Sequence, residues 1–392
     1  MTRYNFDEII PRKNTNCIKY DFALERGMPE GLLPMWVADM DFRTPPEVID
    51  RLVEAARHGI FGYTEVKDDY YQSVVNWFQS RFNYRIEKSW IRKTPGVVYA
   101  LAIAVRAFTK PGDPVIIQTP VYYPFSGTVK ENGRQLVDNT LIYRDGRYFM
   151  DFEDLERKIV SEKARLLLLC SPHNPVSRVW TFDELEELGR ICLKHNCLII
   201  SDEIHCDFVF GRSRHHILCS VNKAFEEISI ILTAPSKTFN LAGLQVSNVF
   251  VPNPQLRHLF REEISRSGFS QLNTMGLAAC QAAYDYGEPW LVDLLEYLEG
   301  NIKLCREFFK ERLSPLRLVE TEGTYLIWID FKPLGLSREE TNKLVIEKAR
   351  LWLDEGTMFG PAGAFFQRMN VACPRSTLLE ALERLEKALP LK

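Results

Sequence analysis

The sequence predicts an α/β fold in which a large domain, built on a mostly parallel sheet flanked by helices, carries a smaller α+β domain. Three observations support this. Short apolar runs at 115–118, 166–170, 198–200 and 228–232 alternate with helical patterns, as parallel strands joined by right-handed crossovers do. From about residue 290 the pattern changes to long amphipathic helices around short alternating runs. A chain of 392 residues also exceeds what one small core organises, so two domains are expected. The expected division is an N-terminal segment, 1–45, joining the small domain; a large domain, 46–289; and a small C-terminal domain, 290–392.

Taken in order, the first forty-odd residues show little periodicity but contain the dense patch Leu33 to Phe42. Thr44-Pro45-Pro46-Glu47 reads as a helix start, with Thr44 as cap and Glu47 closing a capping box; the helix should reach His58 and stop at Gly59. After the turn Phe61-Gly62-Tyr63-Thr64, Tyr71, Val74, Val75 and Phe78 set a helical period over 68–82. Thr94-Pro95-Gly96 opens a helix through Phe108, and the strand at 115–118 leads into Thr119 to Phe125. The strand Leu166 to Cys170 ends in Ser171-Pro172-His173-Asn174-Pro175. Thr181-Phe182-Asp183-Glu184 is a capping box for a helix to about His195. The next strand ends in Ser201-Asp202-Glu203, and the one at 228–232 runs into Thr233 to Asn240. Beyond it come a helix over about 290–313, a strand at 324–331, a helix capped by Ser337, a strand at 367–371 and a closing helix over 376–389.

Composition excludes several classes. Hydrophobic content of 46% with 26% charged residues is that of an ordinary soluble globular chain. A formal charge of -3, with no block of like charges, offers no nucleic-acid surface. No apolar run approaches the roughly 18 residues of a membrane span, and Met1 to Lys19 lacks the apolar stretch of a signal peptide. Nine cysteines without a C-x-x-C fit reduced thiols, and His215-His216 lacks a second ligand cluster at metal spacing. Cys170 and Cys206 read as core residues. The expectation is a cytoplasmic protein acting on a small molecule, with no metal, nucleic acid or membrane partner.

The chemistry gathers at the strand ends. Asn174, Asp202 and Lys237 each follow a strand, and their separations, 28 and 35 residues, match one strand–helix–strand unit each. Such ends lie side by side in the crevice where open α/β sheets bind ligands. A lysine there can be held neutral by desolvation and form a Schiff base. Pyridoxal phosphate calls for this group of side chains: an amine for the aldehyde, a carboxylate for the ring nitrogen and a donor for the phenolic oxygen. It also calls for a flat partner, which Tyr122 offers, and a helix N-terminus for the phosphate, which Gly96-Val97-Val98 offers.

The order of Pro95-Gly96-Val97-Val98, Pro120 to Phe125, His173-Asn174-Pro175, Ser201 to His205 and Ser236 to Asn240 resembles the fold-type-I pyridoxal-phosphate enzymes. Met35 to Phe42, Phe61 to Thr64, Glu322-Gly323-Thr324-Tyr325 and Ala372-Cys373-Pro374-Arg375 are similar to the MalY/PatB branch of cystathionine and cysteine-S-conjugate β-lyases, within the class I/II aminotransferase superfamily. The resemblance implies that Lys237 carries the cofactor and shuttles the substrate Cα proton, that Asp202 pairs with the ring nitrogen, and that Asn174 bonds the phenolic oxygen. It implies that Tyr122 stacks on the ring and that Val97, Val98 and Ser236, beside Gly96, hold the phosphate. Arg368 would clamp the substrate carboxylate, with Trp36 and Tyr325 lining the substrate side. Tyr63 would reach into the site of a partner subunit, which implies a homodimer.

Two positions depart from wider patterns. Gln245 stands where many aminotransferases of this fold have a phosphate-binding arginine, which disfavours an ordinary aminotransferase. Ser177 stands where a glycine is usual, and a positive φ there would strain it modestly. The expected activity is α,β-elimination from cystathionine or a cysteine S-conjugate, giving a thiol such as homocysteine, pyruvate and ammonia. The alternatives are an aminotransferase on the same scaffold, or a cofactor-binding regulatory protein with low turnover. His205 borders the cofactor residues, with a structural role as open as a catalytic one.

Overall fold

The computed structural model describes residues 4–389. Its main sheet has seven strands: β1 (Ile91–Thr94), β2 (Pro114–Ile117), β3 (Gln135–Asp138), β4 (Leu166–Cys170), β5 (Leu198–Asp202), β6 (Ser229–Thr233) and β7 (Ser247–Phe250), in the order β1-β7-β6-β5-β4-β2-β3. The pairs from β3 through β6 are parallel, whereas β7 runs antiparallel to both its neighbours. Every residue of β4 and β6 is buried, because helices cover both faces; an unbroken apolar run is what such a strand requires. The register sets Cys170 beside Asp202 and Asp202 beside Leu232, so β4, β5 and β6 end at one level.

The flanking helices follow their local signals closely. Helices α1 (Pro46–His58), α2 (Asp68–Phe82), α3 (Val97–Phe108) and α4 (Phe182–Lys194) lie within a residue or two of the expected spans. Thr181 accepts from the Glu184 amide while the Glu184 carboxylate accepts from the Thr181 amide, completing the predicted box. Thr44 does not cap α1. Pro45 takes the N-cap position in an extended conformation with no side-chain cap, which leaves the Thr44 hydroxyl one residue short of the first turn. Gly59 ends α1 as expected, with φ 74.

The second sheet is antiparallel: β8 (Arg317–Leu318), β9 (Leu326–Asp330), β10 (Asp354–Glu355) and β11 (Phe366–Asn370), in the order β8-β9-β11-β10. Helices α5 (Glu288–Glu311) and α6 (Arg375–Ala388) pack together beside it. The N-terminal segment adds a short parallel pairing, Leu33–Pro34 with Leu351–Trp352. Beyond it, the irregular stretch Trp36 to Phe42 is pinned from β11 and from the loop after β6. Asn370 on β11 donates to the carbonyls of Val37 and Asp39, each at 2.6 Å. Asn240 donates to the carbonyls of Met40 and Phe42 and accepts from the Met40 amide. Among the described residues, no helix is long and apolar enough to cross a membrane.

Ser177 does adopt the left-handed conformation, with φ 59, and its hydroxyl donates to the Leu326 carbonyl at 2.5 Å. The hydrogen bond to β9 offsets the backbone strain, which for an L-residue costs about 1–2 kcal/mol. Ser177→Gly removes both, so its net effect should stay within about 1 kcal/mol. Ser177→Ala keeps the strain and loses the bond, and should destabilise by about 1–2 kcal/mol in chemical denaturation.

Candidate active site

Four neighbouring strands deliver the side chains. Tyr122 follows β2, Asn174 follows β4, Asp202 ends β5, and Lys237 lies in the one-turn helix Pro235–Thr238 after β6. A cavity of about 260 Å³ opens at these ends, walled by all four together with Ala38, Gly96, Val97, Val98, His205, Ser236 and Gln245. A larger cleft of about 480 Å³, beside Arg81, Asp207 and His215, collects none of these strand ends.

Lys237 donates through Nζ to the Ala38 carbonyl at 2.6 Å, and the Tyr325 hydroxyl donates to the same oxygen at 3.0 Å. Burial lowers the amine to about 8; the charge of Arg368 adds to the effect, while Asp39 and Asp202 oppose it. Burial moves Asp202 the other way, up to about 7, against the pull of the Ile204 amide and the Lys237 charge. That amide donates to Asp202 at 3.2 Å. A low-dielectric pocket disfavours both charged forms, so the amine and the carboxylate approach one another in proton affinity.

The opposite wall is the start of α3. Gly96 occupies its N-cap with φ 112, and no side chain caps the helix. The Gly96 amide itself is spent on Ser247 Oγ at 3.2 Å. The first amides of an α-helix have no intrahelical acceptor, and the helix dipole gives them partial positive charge, so an anion fits here. Val97 and Val98 line the cavity at this point, with Ser236 and Gln245 beside them.

Arg368 links the cavity to the second sheet. Its Nη1 donates to Asn174 Oδ1 at 2.9 Å, and Nη2 donates to the Trp36 carbonyl at 2.9 Å and to Asp354. With Asn174 Oδ1 committed to Arg368, the Asn174 amide nitrogen remains as the donor for a ligand in the cavity. The guanidinium also lies 4.9 Å from the Phe359 ring centroid. Asp354, which no motif in the sequence singled out, is therefore part of this cluster; only its pairing across the sheet reveals it.

The other expected residues are dispersed around the cavity and beyond it. Tyr122 is half-buried on the cavity wall, and Tyr325 is buried behind Ala38. Trp36 stacks on Trp352 with ring centroids 4.4 Å apart, and only its carbonyl reaches the cluster. Tyr63 is 99% exposed, in an exposed turn with Ile60 and Phe61, and is not part of the cavity wall within one chain. His205 is buried on the wall with its ring 5.8 Å from that of Tyr325, and burial lowers its pKa well below the usual histidine value. Cys170 is buried, as expected of a core residue, yet also contributes to the wall. His215 is spent on Glu203 at 2.8 Å.

Comparison with known proteins gives a consistent picture. The family model for aminotransferase class I and II matches residues 32–385. The chain is 41% identical to cystathionine beta-lyase PatB of Bacillus subtilis, covering 98% of this chain and 100% of that one. It is 31% identical to protein MalY of Escherichia coli, covering 98% and 99%. Among solved structures it superposes on cystalysin from Treponema denticola, which contains a pyridoxal 5'-phosphate cofactor, with TM-score 0.95, 38% identity and 98% of both chains covered. The pyridoxal-phosphate-bound C-S lyase from Staphylococcus hominis, complexed with L-cycloserine, gives TM-score 0.92 and 31% identity, with 98% of both chains covered.

The electrostatics of Lys237 can be tested without turnover. Trapping of a small aldehyde on the cofactor-free protein with cyanoborohydride, read by mass spectrometry at Lys237, should show a pH midpoint near 8. Asp202→Asn removes a charge that raises the lysine pKa, so the midpoint should fall. Arg368→Gln removes a charge that lowers it, so the midpoint should rise. A midpoint at the ordinary lysine value, about 10.4, would sink this account of the pocket.

Proposed function

The chain belongs to the aminotransferase class I and II family, and on that footing we propose that it is a pyridoxal-phosphate-dependent carbon–sulfur β-lyase. It eliminates a thiol from an L-amino acid with sulfur at Cβ, such as cystathionine or a cysteine S-conjugate, leaving pyruvate and ammonia. The observation that carries this reading is the meeting of Lys237, Asp202, Asn174 and Tyr122 around one cavity that an uncapped helix end closes. Full-length similarity to a cystathionine beta-lyase, PatB, selects the β-lyase reading within the family. Bound pyridoxal phosphate supplies an electron sink for the pair released when the substrate Cα–H bond breaks.

The residues present suit that cofactor. Among the described residues Asp202 has no ion pair, so its carboxylate is available to a protonated ring nitrogen. Asn174 would donate to the phenolic oxygen and Tyr122 would lie against the ring. The Val97 and Val98 amides and the Ser236 hydroxyl would hold the phosphate, with Gly96 allowing its close approach. Gln245, in place of an arginine, leaves that phosphate grip to the helix end and uncharged donors. Lys237, with its amine lowered by burial, would both carry the cofactor and take the proton from Cα. Arg368 would hold the substrate α-carboxylate. Trp36 and Tyr325 would border the substrate, and Tyr63 would complete the site of a partner subunit in a homodimer. The exposed turn around Ile60, Phe61 and Tyr63 supports that assembly. The pairing of Leu33–Pro34 with Leu351–Trp352 supports grouping 1–45 with the small domain, 290–392, apart from a large domain, 46–289. All nine cysteines are free thiols, which fits a cytoplasmic enzyme.

Purified protein given L-cystathionine should release pyruvate with no keto acid added. Lys237→Ala should lower that rate by about a thousandfold, the scale of a lost general base, and abolish the cofactor's absorbance as a lysine adduct. Transfer of the amino group to an added keto acid, without thiol release, would make the enzyme an aminotransferase. Cofactor binding with negligible turnover across sulfur amino acids would make it a binding protein.

A further inference from the structure

Asp354 and Arg368 stand directly opposite one another on the antiparallel strands β10 and β11. The two residues are 3% and 2% exposed, and the Asp354 carboxylate accepts from Arg368 Nη2. Trp328 on β9 is the cross-strand neighbour of Arg368 on its other side, and Phe359 lies against the guanidinium. Cross-strand neighbours project from the same face of a sheet, so β10 holds the carboxylate against the guanidinium by backbone register. Among the described residues, Asp354 is the only anion in salt-bridge contact with Arg368.

The donors of Arg368 divide in a telling way. Three hydrogen bonds use Nη1 and Nη2: one to Asn174 and two shared by the Trp36 carbonyl and Asp354. Nε is buried and has no hydrogen-bond partner. A guanidinium offers five N–H groups in a fixed planar fork, so fixing one side of the fork fixes where its remaining donors point. A buried donor left without an acceptor is costly unless a ligand supplies one. Burial raises the pKa of Asp354, and the charge of Arg368 opposes that rise, so each charge depends on the other for its stability in this dry setting.

We propose that Asp354 is a positioning residue for substrate recognition: it presets the Arg368 guanidinium so that an unspent donor meets the α-carboxylate of an amino-acid substrate. The proposal rests on Arg368 as the carboxylate clamp. Asp354 touches neither substrate nor cofactor and acts through Arg368 alone. Its effect therefore falls on ligands that carry a carboxylate and spares those that carry only an amine.

The test compares L-alanine, which has a carboxylate but no sulfur to eliminate, with ethylamine, which has only the amine. Binding of each to the cofactor-loaded protein is followed by the change in cofactor absorbance. Asp354→Ala should weaken L-alanine about tenfold or more, the scale of one lost hydrogen bond to a charged group, and leave ethylamine binding as it was. Asp354→Asn keeps an acceptor of the same shape and should recover most of that loss. Equal weakening of both ligands would reduce Asp354 to a general structural role and overturn the proposal, as would unchanged L-alanine binding. Pyruvate release by the unsubstituted enzyme is scored separately, so a failure of the lyase reading is told apart from a failure of this one.

Discussion

The carbonyl of Ala38 is the point on which the site depends. It accepts from Lys237 on one side and from Tyr325 on the other, and so ties the end of β6 to the chain just before β9. An irregular backbone such as Trp36 to Phe42 has no ladder of its own, so its polar groups must find partners elsewhere in the chain, as the Asp41 amide does on the Ala372 carbonyl. The side chains of Asn370, on β11, and Asn240, in the loop after β6, serve most of the carbonyls. Lys19, almost fully buried, bonds Asp41 at 2.9 Å, and Arg12 bonds both Asp39 and Asp41 at 2.6 Å. Breaking a buried charge pair by removing one partner costs about 3–5 kcal/mol, so this segment is held firmly where the lysine needs it.

That fixed loop shapes the electrostatics of the cavity. Lys237 is partly open to the cavity and faces protein on every other side, and its amine is lowered to about 8. Asp202, at the end of the adjacent strand β5, is raised to about 7. The shifts have opposite directions and one main cause, the exclusion of water from a concave pocket at the strand ends. A cation bound beside Asp202 would restore its ionised form, while a proton leaves Lys237 more readily than it leaves a surface lysine. The pocket is thus suited to separate proton affinities on binding a charged aromatic ligand.

Much of the fold was legible because its signals are local. The capping box of Thr181 and Glu184, the glycine stop at Gly59, and the apolar runs of β4, β5 and β6 each depend on a few consecutive residues. Where a signal competed with another, reading failed: two prolines followed Thr44, and the first of them, not the threonine, took the N-cap position of α1. The antiparallel direction of β7 was not legible, since a buried strand has the same pattern in either direction.

From sequence alone came the alternation that makes an α/β sheet and the three strand ends whose spacing brings Asn174, Asp202 and Lys237 to one edge. Those are consequences of period, propensity and unit length, which a chain carries in its order of residues. Only the tertiary structure decided that Ala38 receives the lysine, that Arg368 spends a donor on Asn174, and that Asp354 faces Arg368 across β10 and β11. These contacts join residues 199, 194 and 14 positions apart, through strand register and loop path. Such contacts arise from how elements pack, and packing is a property of the whole chain folded at once.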